Sequence, residues 1–137
     1  MKTFSTQVTV RFYDADVAGI TFHGTIFRLA HDSFEEFLNT IGKNWDEWFR
    51  HPQFAAPIRK AEAEYFKPLM PGKKYRVEIS VSQLGSSSFT MKHQFINEAD
   101  ELCAVVHKVH VYVDRTILKP LPLPEKLRSV LSEYLTK

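Results

Sequence analysis

Residues 25–41, "TIFRLAHDSFEEFLNTI", carry Ile26, Phe27, Ala30, Phe34, Phe37, Leu38 and Ile41 at spacings of three and four. That spacing makes one apolar face on a helix of about five turns, and Gly42 stands where a C-terminal cap would. A single long helix cannot bury such a face on itself, so the rest of the chain has to supply a matching surface. Four downstream runs have the pattern of strands: "IRKAEAEYFKPL", "YRVEISVSQL", "SSFTMKHQFIN" and "ELCAVVHKVHVYVD". In the second, Tyr75, Val77, Ile79 and Val81 alternate with polar residues; in the third, Phe89, Met91, His93 and Phe95 do. In the fourth, Cys103, Val105, His107, Val109, Val111 and Val113 share a face. Turns fall at "MPGKK", "GSSS" and "NEADE". One further strand precedes the helix at "QVTVRFY", with Val8, Val10 and Phe12 on one side. "NWDEWFRHPQFAAP" reads as a short helical turn and a loop. Leu127, Val130, Leu131, Tyr134 and Leu135 predict a terminal helix. The expected class is α+β: an antiparallel sheet wrapped around one long central helix.

The 137 residues suit a single domain spanning 1–137. A net charge of +2 with scattered basic residues lacks the basic stripe that nucleic acid requires. Cys103 is the lone cysteine, which excludes an intramolecular disulfide and a cysteine-based zinc site. No run of about 18 apolar residues occurs, so no membrane helix is expected. The N-terminal stretch "MKTFSTQVTV" has no apolar segment of signal-peptide length, and the expected location is the cytoplasm. The 11 phenylalanines point to a core or pocket built from rings.

The joint between the first strand and the long helix reads "DADVAGITFHG", residues 14–24. A helix start presents unpaired N–H groups and the positive end of its dipole, suited to an oxygen gaining negative charge. A carboxylate a few residues earlier can loop back toward that spot and attack a carbonyl carbon, or activate a water. Gly24 leaves room for close approach of a substrate to the backbone. The competing reading is structural: aspartates before a helix commonly cap it or shape a turn. Elsewhere, His31 and Glu35 lie four apart on one helix face, a spacing that can hold a metal or simply form a surface pair. His107 and His110 fall on opposite faces of a strand and cannot share a metal. Ser86-Ser87-Ser88 reads as a turn whose N–H and hydroxyl groups could contact phosphate.

The stretch "VRFYDADVAGITFHGTIFRLAHDSFEEFL" resembles the N-terminal signature of the hotdog-fold acyl-CoA thioesterases of the 4-hydroxybenzoyl-CoA thioesterase type. Further on, "PIRKAEAEYFKPLMPGKKYRVEISVSQLGSSSFTMKHQF" follows the family's order of strand, "PG" turn and "SSSF" turn. The resemblance covers roughly residues 6–113. It implies the hotdog fold, subunits that pair to extend the sheet as a homodimer or homotetramer, and hydrolysis of an acyl-CoA thioester without metal or organic cofactor. It places the catalytic carboxylate on Asp16, the carbonyl-polarising N–H on His23, and Asp14 as a structural acid holding the turn. It places CoA phosphates near Ser87 and Ser88. Some relatives carry a basic cluster just before that serine, whereas this chain has Leu84, Gly85 and Ser86, so phosphate binding would lean on Arg59, Lys60 or Lys92. "RLAHDSFEEFLNTIG" resembles the branch that acts on 1,4-dihydroxy-2-naphthoyl-CoA; a short-chain aliphatic branch, associated with the Tol-Pal envelope proteins, is the alternative. Acyl carrier protein is an alternative carrier to CoA. Two rivals stand beside hydrolysis: hydration or dehydration of an enoyl thioester, and a non-catalytic module that binds acyl-CoA, acyl carrier protein or a partner protein.

Overall fold

A computed structural model of the chain describes residues 1–42 and 51–136. Most of the helical turn expected in "NWDEWFRHPQFAAP" therefore lies outside the described residues. The elements run β1 (Phe4–Thr9), α1 (Thr25–Thr40), β2 (Phe54–Ala55), β3 (Ile58–Tyr65), β4 (Lys74–Leu84), β5 (Ser88–Ile96), β6 (Leu102–Val111), β7 (Val113–Asp114) and α2 (Glu125–Glu133). Five strands form one antiparallel sheet in the order β1-β4-β5-β6-β3, and β2 pairs with β7 in a small separate ribbon. Short turns make β4, β5 and β6 a meander, with Ile79 opposite His93 and His93 opposite Val106.

The long helix lies where its apolar spacing demands. Ile26, Leu29, Ala30, Ser33, Phe34, Phe37 and Leu38 are buried on α1, and Gly42 ends it in a left-handed conformation, φ 80°. Against that face the sheet offers Tyr75, Val77, Ile79 and Val81 of β4 and Phe89, Met91 and Phe95 of β5. Phe34, Phe37, Phe89 and Phe95 are among the largest fully enclosed side chains, and each contributes roughly 2–3 kcal/mol of burial. The ring-rich composition thus builds the core. Leu127 and Leu131 of α2 close one edge of it. No helix among the described residues is long and apolar enough to cross a membrane.

Two expectations differ from what folds. The first strand stops at Thr9 instead of continuing to Tyr13; Phe12–Asp14 form a single 3-10 turn, and Phe12 and Tyr13 point into solvent. The turn is enforced by Asp14, whose Oδ2 accepts the Arg11 N–H at 2.9 Å. On β6 the valine-bearing face is the half-exposed one. Ala104, Val106, Lys108 and His110 are the buried set facing α1, while Val105, His107, Val109 and Val111 are only partly covered. Cys103 lies where the β5–β6 register shifts and is buried as well.

Lys108 and His110 therefore enter the core as polar groups, which is costly unless they find partners or lose charge. Lys108 Nζ donates to the Phe27 carbonyl of α1 at 3.0 Å, and burial lowers its pKa to about 8. His110 lies between the rings of Phe34 and Phe89, at centroid distances of 4.6 and 4.9 Å, and burial pushes it down to about 3. His93 shares a 3.0 Å contact between Nδ1 and the Ser33 hydroxyl, and burial holds it well below the ordinary imidazole range.

Candidate active site

Asp14 ties the joint together. Its side chain is 4% exposed and its two oxygens accept from Arg28 Nη2 at 2.9 and 3.1 Å. Arg28 continues the chain of charge to Asp32 at 2.9 Å. One carboxylate thus closes the 3-10 turn through Arg11 and clamps it to the first turn of α1. It does not cap the helix: Gly24 occupies the N-cap position without any side-chain cap bond.

From Asp14 the chain makes a minute hairpin. Ala15 bridges Thr21, the Asp16 N–H donates to the Ile20 carbonyl at 3.0 Å, and the Gly19 N–H donates to the Asp16 carbonyl at 3.0 Å. Gly19 adopts φ 78° there, a value that glycine takes without strain. The base of the hairpin is fixed twice more: the Phe22 N–H donates to the Asp14 carbonyl at 2.7 Å, and the Thr21 hydroxyl donates to the Leu69 carbonyl at 2.7 Å.

Asp16 sits at the tip of this hairpin and is exposed. Its Oδ1 accepts the Ala18 N–H at 2.8 Å, an Asx-turn that holds the carboxylate; its Oδ2 takes no hydrogen bond among the described residues. The chain then passes Phe22 and enters α1. The Thr25 N–H is bonded to the Phe22 carbonyl at 3.0 Å, but the N–H groups of His23 and Gly24 reach no acceptor among the described residues. Asp16, His23 and Gly24 thus share one short, heavily braced loop that leaves an unpaired carboxylate oxygen and two unpaired backbone donors. Those are the components of addition to a carbonyl: an attacking or base carboxylate, and donors for the oxygen that becomes negative. At Gly24 the space a side chain would occupy is filled, because a Cβ there would lie 2.8 Å from the Phe22 ring.

The phosphate-site residues of the sequence reading fall elsewhere. Ser87 and Ser88 belong to the turn from β4 to β5, closed by the Gly85 N–H on the Ser88 carbonyl at 2.8 Å. Carbonyls of this turn are tied inward: Tyr112 N–H holds that of Ser87 at 2.8 Å, and Arg128 of α2 holds those of Gly85 and Ser86 at 2.6 and 3.1 Å. Lys60 and Lys92 lie on the sheet face away from α1. There Lys60 approaches Glu62 at 3.6 Å, and Lys92 stands opposite His107 in a groove that also holds Glu62 and Glu64. These carboxylates make that groove poor for phosphate. Arg59 lies at a register shift between Ile58 and Lys60. His31 Nε2 lies 3.0 Å from Glu35 Oε1 as an i,i+4 surface pair; no cluster of three metal-binding side chains occurs among the described residues.

Three residues at these places carried no signal in the sequence. Arg28 and Arg128 stand at polar positions of α1 and α2, with no local pattern that marks their partners. Tyr65, at the end of β3, donates its phenol O–H to the His23 carbonyl, a contact spanning 42 positions of chain that no local pattern reveals.

Comparison with known proteins agrees with this architecture. Residues 10–131 match the thioesterase-like superfamily. A 1,4-dihydroxy-2-naphthoyl-CoA hydrolase of Thermosynechococcus vestitus is 28% identical over 121 residues, covering 88% of this chain and 83% of that protein. Its counterpart in Microcystis aeruginosa is 30% identical over 115 residues, covering 84% and 83%. The solved structure of a 1,4-dihydroxy-2-naphthoyl-CoA thioesterase from Synechocystis has the same fold, with a TM-score of 0.89 at 22% identity over 96% of this chain and 97% of that one. A matched segment that takes in the braced loop, the long helix and the whole meander leaves no doubt about kinship: the chain belongs to the thioesterase-like superfamily, with its hotdog fold.

Proposed function

We propose that this acyl-CoA thioesterase hydrolyses an aromatic acyl-CoA of the 1,4-dihydroxy-2-naphthoyl class, with Asp16 as its catalytic carboxylate. Thioester hydrolysis itself follows from the family and its named relatives. The observation that carries the residue assignment is the loop's selective bracing. Asp14 spends both oxygens on Arg28 and Arg11, whereas Asp16 keeps one oxygen open in the loop that leads to the unused N–H groups at the start of α1. Asp16 attacks the thioester carbon as a nucleophile or takes the proton of an attacking water; both routes need an ionised carboxylate. The backbone N–H groups of His23 and Gly24, helped by the α1 dipole, receive the developing oxyanion. CoA leaves as the thiol and the acyl group as a carboxylic acid.

The pantetheine and phosphates belong, in this reading, to the turn carrying Ser87 and Ser88, which Arg128 pins. Arg59 is the better of the remaining cationic candidates, since Lys60 is engaged by Glu62. CoA is favoured over acyl carrier protein because the named relatives are CoA hydrolases. The same reading has the chain working in the cytoplasm as a homodimer or homotetramer. Its support is the sheet edge: β3 has a sheet neighbour on one side only, and Ile58, Tyr65 and Phe66 are exposed along or just beyond it, a surface suited to pairing.

The test is free-thiol release from a panel running from short aliphatic acyl-CoAs through benzoyl- and hydroxybenzoyl-CoA to 1,4-dihydroxy-2-naphthoyl-CoA. The highest kcat/KM is expected for the bicyclic dihydroxy substrate. A short aliphatic thioester turned over best would overturn the acyl assignment.

A further inference from the structure

We propose that Tyr65 is a positioning residue for this reaction, aiming the Gly24 N–H through its hydrogen bond to the His23 carbonyl. The inference rests on the hydrolytic reading above and adds a residue to it. The peptide joining His23 to Gly24 is trans, so its N–H points opposite to its C=O. Fixing the carbonyl from one side therefore fixes the donor on the other. Tyr65 is well placed to do so. It ends β3, in register with Ala104 of β6, and the Phe66 N–H immediately after it donates to the Cys103 carbonyl at 2.7 Å. The phenol is thus carried by the sheet, a rigid body separate from the loop it contacts.

The rest of the loop is already held without Tyr65. The Phe22 N–H is bound to Asp14, the Thr25 N–H closes onto Phe22, and the Phe27 N–H follows onto the Gly24 carbonyl. Between these fixed points lies the one peptide whose rotation would re-aim a free donor, and that is the peptide Tyr65 engages. A hydrogen bond to its carbonyl also polarises the amide and strengthens the N–H opposite. Burial raises the phenol's pKa above its ordinary value of 10, so it is a donor at every working pH.

A donor that is merely better aimed acts on the transition state, where the thioester oxygen carries charge, and hardly at all on the bound substrate. Tyr65→Phe keeps the ring and removes the bond. It is expected to lower kcat about tenfold, less than outright loss of an oxyanion donor, with KM and Tm unchanged. Binding of an unreactive CoA thioether should be unaffected, while a CoA trifluoromethyl ketone, which mimics the tetrahedral adduct, should bind about tenfold more weakly. Unchanged kcat and ketone affinity would overturn the positioning role. A fall in kcat with lowered Tm and equal weakening of both ligands would also overturn it, as a structural contact only. Wild-type turnover is measured in the same assay: its absence would refute the hydrolase reading together with this one, whereas a Tyr65→Phe enzyme equal to an active wild type would refute this one alone.

Discussion

Two regions of the molecule leave polar groups without partners, and they do opposite things with them. The loop from Asp14 to Gly24 leaves one Asp16 oxygen and two backbone N–H groups unbonded at the surface. The seam under α1 leaves Nε2 of His93 without a hydrogen bond among the described residues and encloses His110 between two phenylalanine rings. At the surface, solvent reaches the idle groups and keeps them hydrated. In the core burial penalises the charged form, so the group gives up its charge and both imidazoles are held neutral. The same deficit makes a candidate reactive site in one place and a stored pH sensitivity in the other.

That contrast can be broken first from the core side. Both histidines have folded pKa values below their unfolded value near 6.5, so as pH falls through 6.5 the unfolded chain takes up protons that the folded chain refuses. Stability is present above about pH 6.5 and is lost toward the folded pKa, which for His110 is about 3. An imidazole kept neutral in the fold adds a slope that grows toward about 1.4 kcal/mol per pH unit below 6.5, so His110 alone removes roughly 1.5 kcal/mol between pH 6.5 and 5, and His93 adds to the loss. Urea midpoints measured across that range should fall accordingly, and His110→Leu should lower the slope. A flat profile would mean that these imidazoles titrate normally.

On the surface side, the two motif aspartates should part company in stability. Asp14 is enclosed and carries Arg28 and Arg11, so Asp14→Asn is expected to cost about 2 kcal/mol, read as a Tm lower by roughly 6–8 °C. A loss below about 0.5 kcal/mol would show that the Arg28 clamp does not hold the loop.

What the sequence made legible follows the range of the forces involved. The α1 face and the β4 and β5 alternations are local periodicities enforced by burial; the expected β4 and β5 positions are all buried, while on α1 Leu29 and Ser33 join the buried face and Phe27 and Ile41 stay partly covered. The end of β1 was hidden, because Phe12 and Tyr13 continue the alternation while two hydrogen bonds between Asp14 and Arg11 turn the chain. On β6 the valines named a face but not its orientation; the register of β6 against β5 and β3 put Lys108 and His110 inside, where a long stem reaches a helix carbonyl and an imidazole stacks between two phenylalanine rings. In the candidate site, the order Asp14, Asp16, His23 and Gly24 was readable because those residues are neighbours in sequence. Tyr65 was not, since its bond to His23 exists only once β3 and the loop meet.

The measurement that bears most directly on the central claim is thiol release by Asp16→Asn with the best acyl-CoA, alongside its Tm. Asp16 is exposed and braces nothing beyond its own tight turn, so the variant should keep the wild-type Tm within about 2 °C and lose about a thousandfold or more in kcat. Turnover within tenfold of wild type, in a protein that melts normally, would contradict the account and move the chemistry away from this loop.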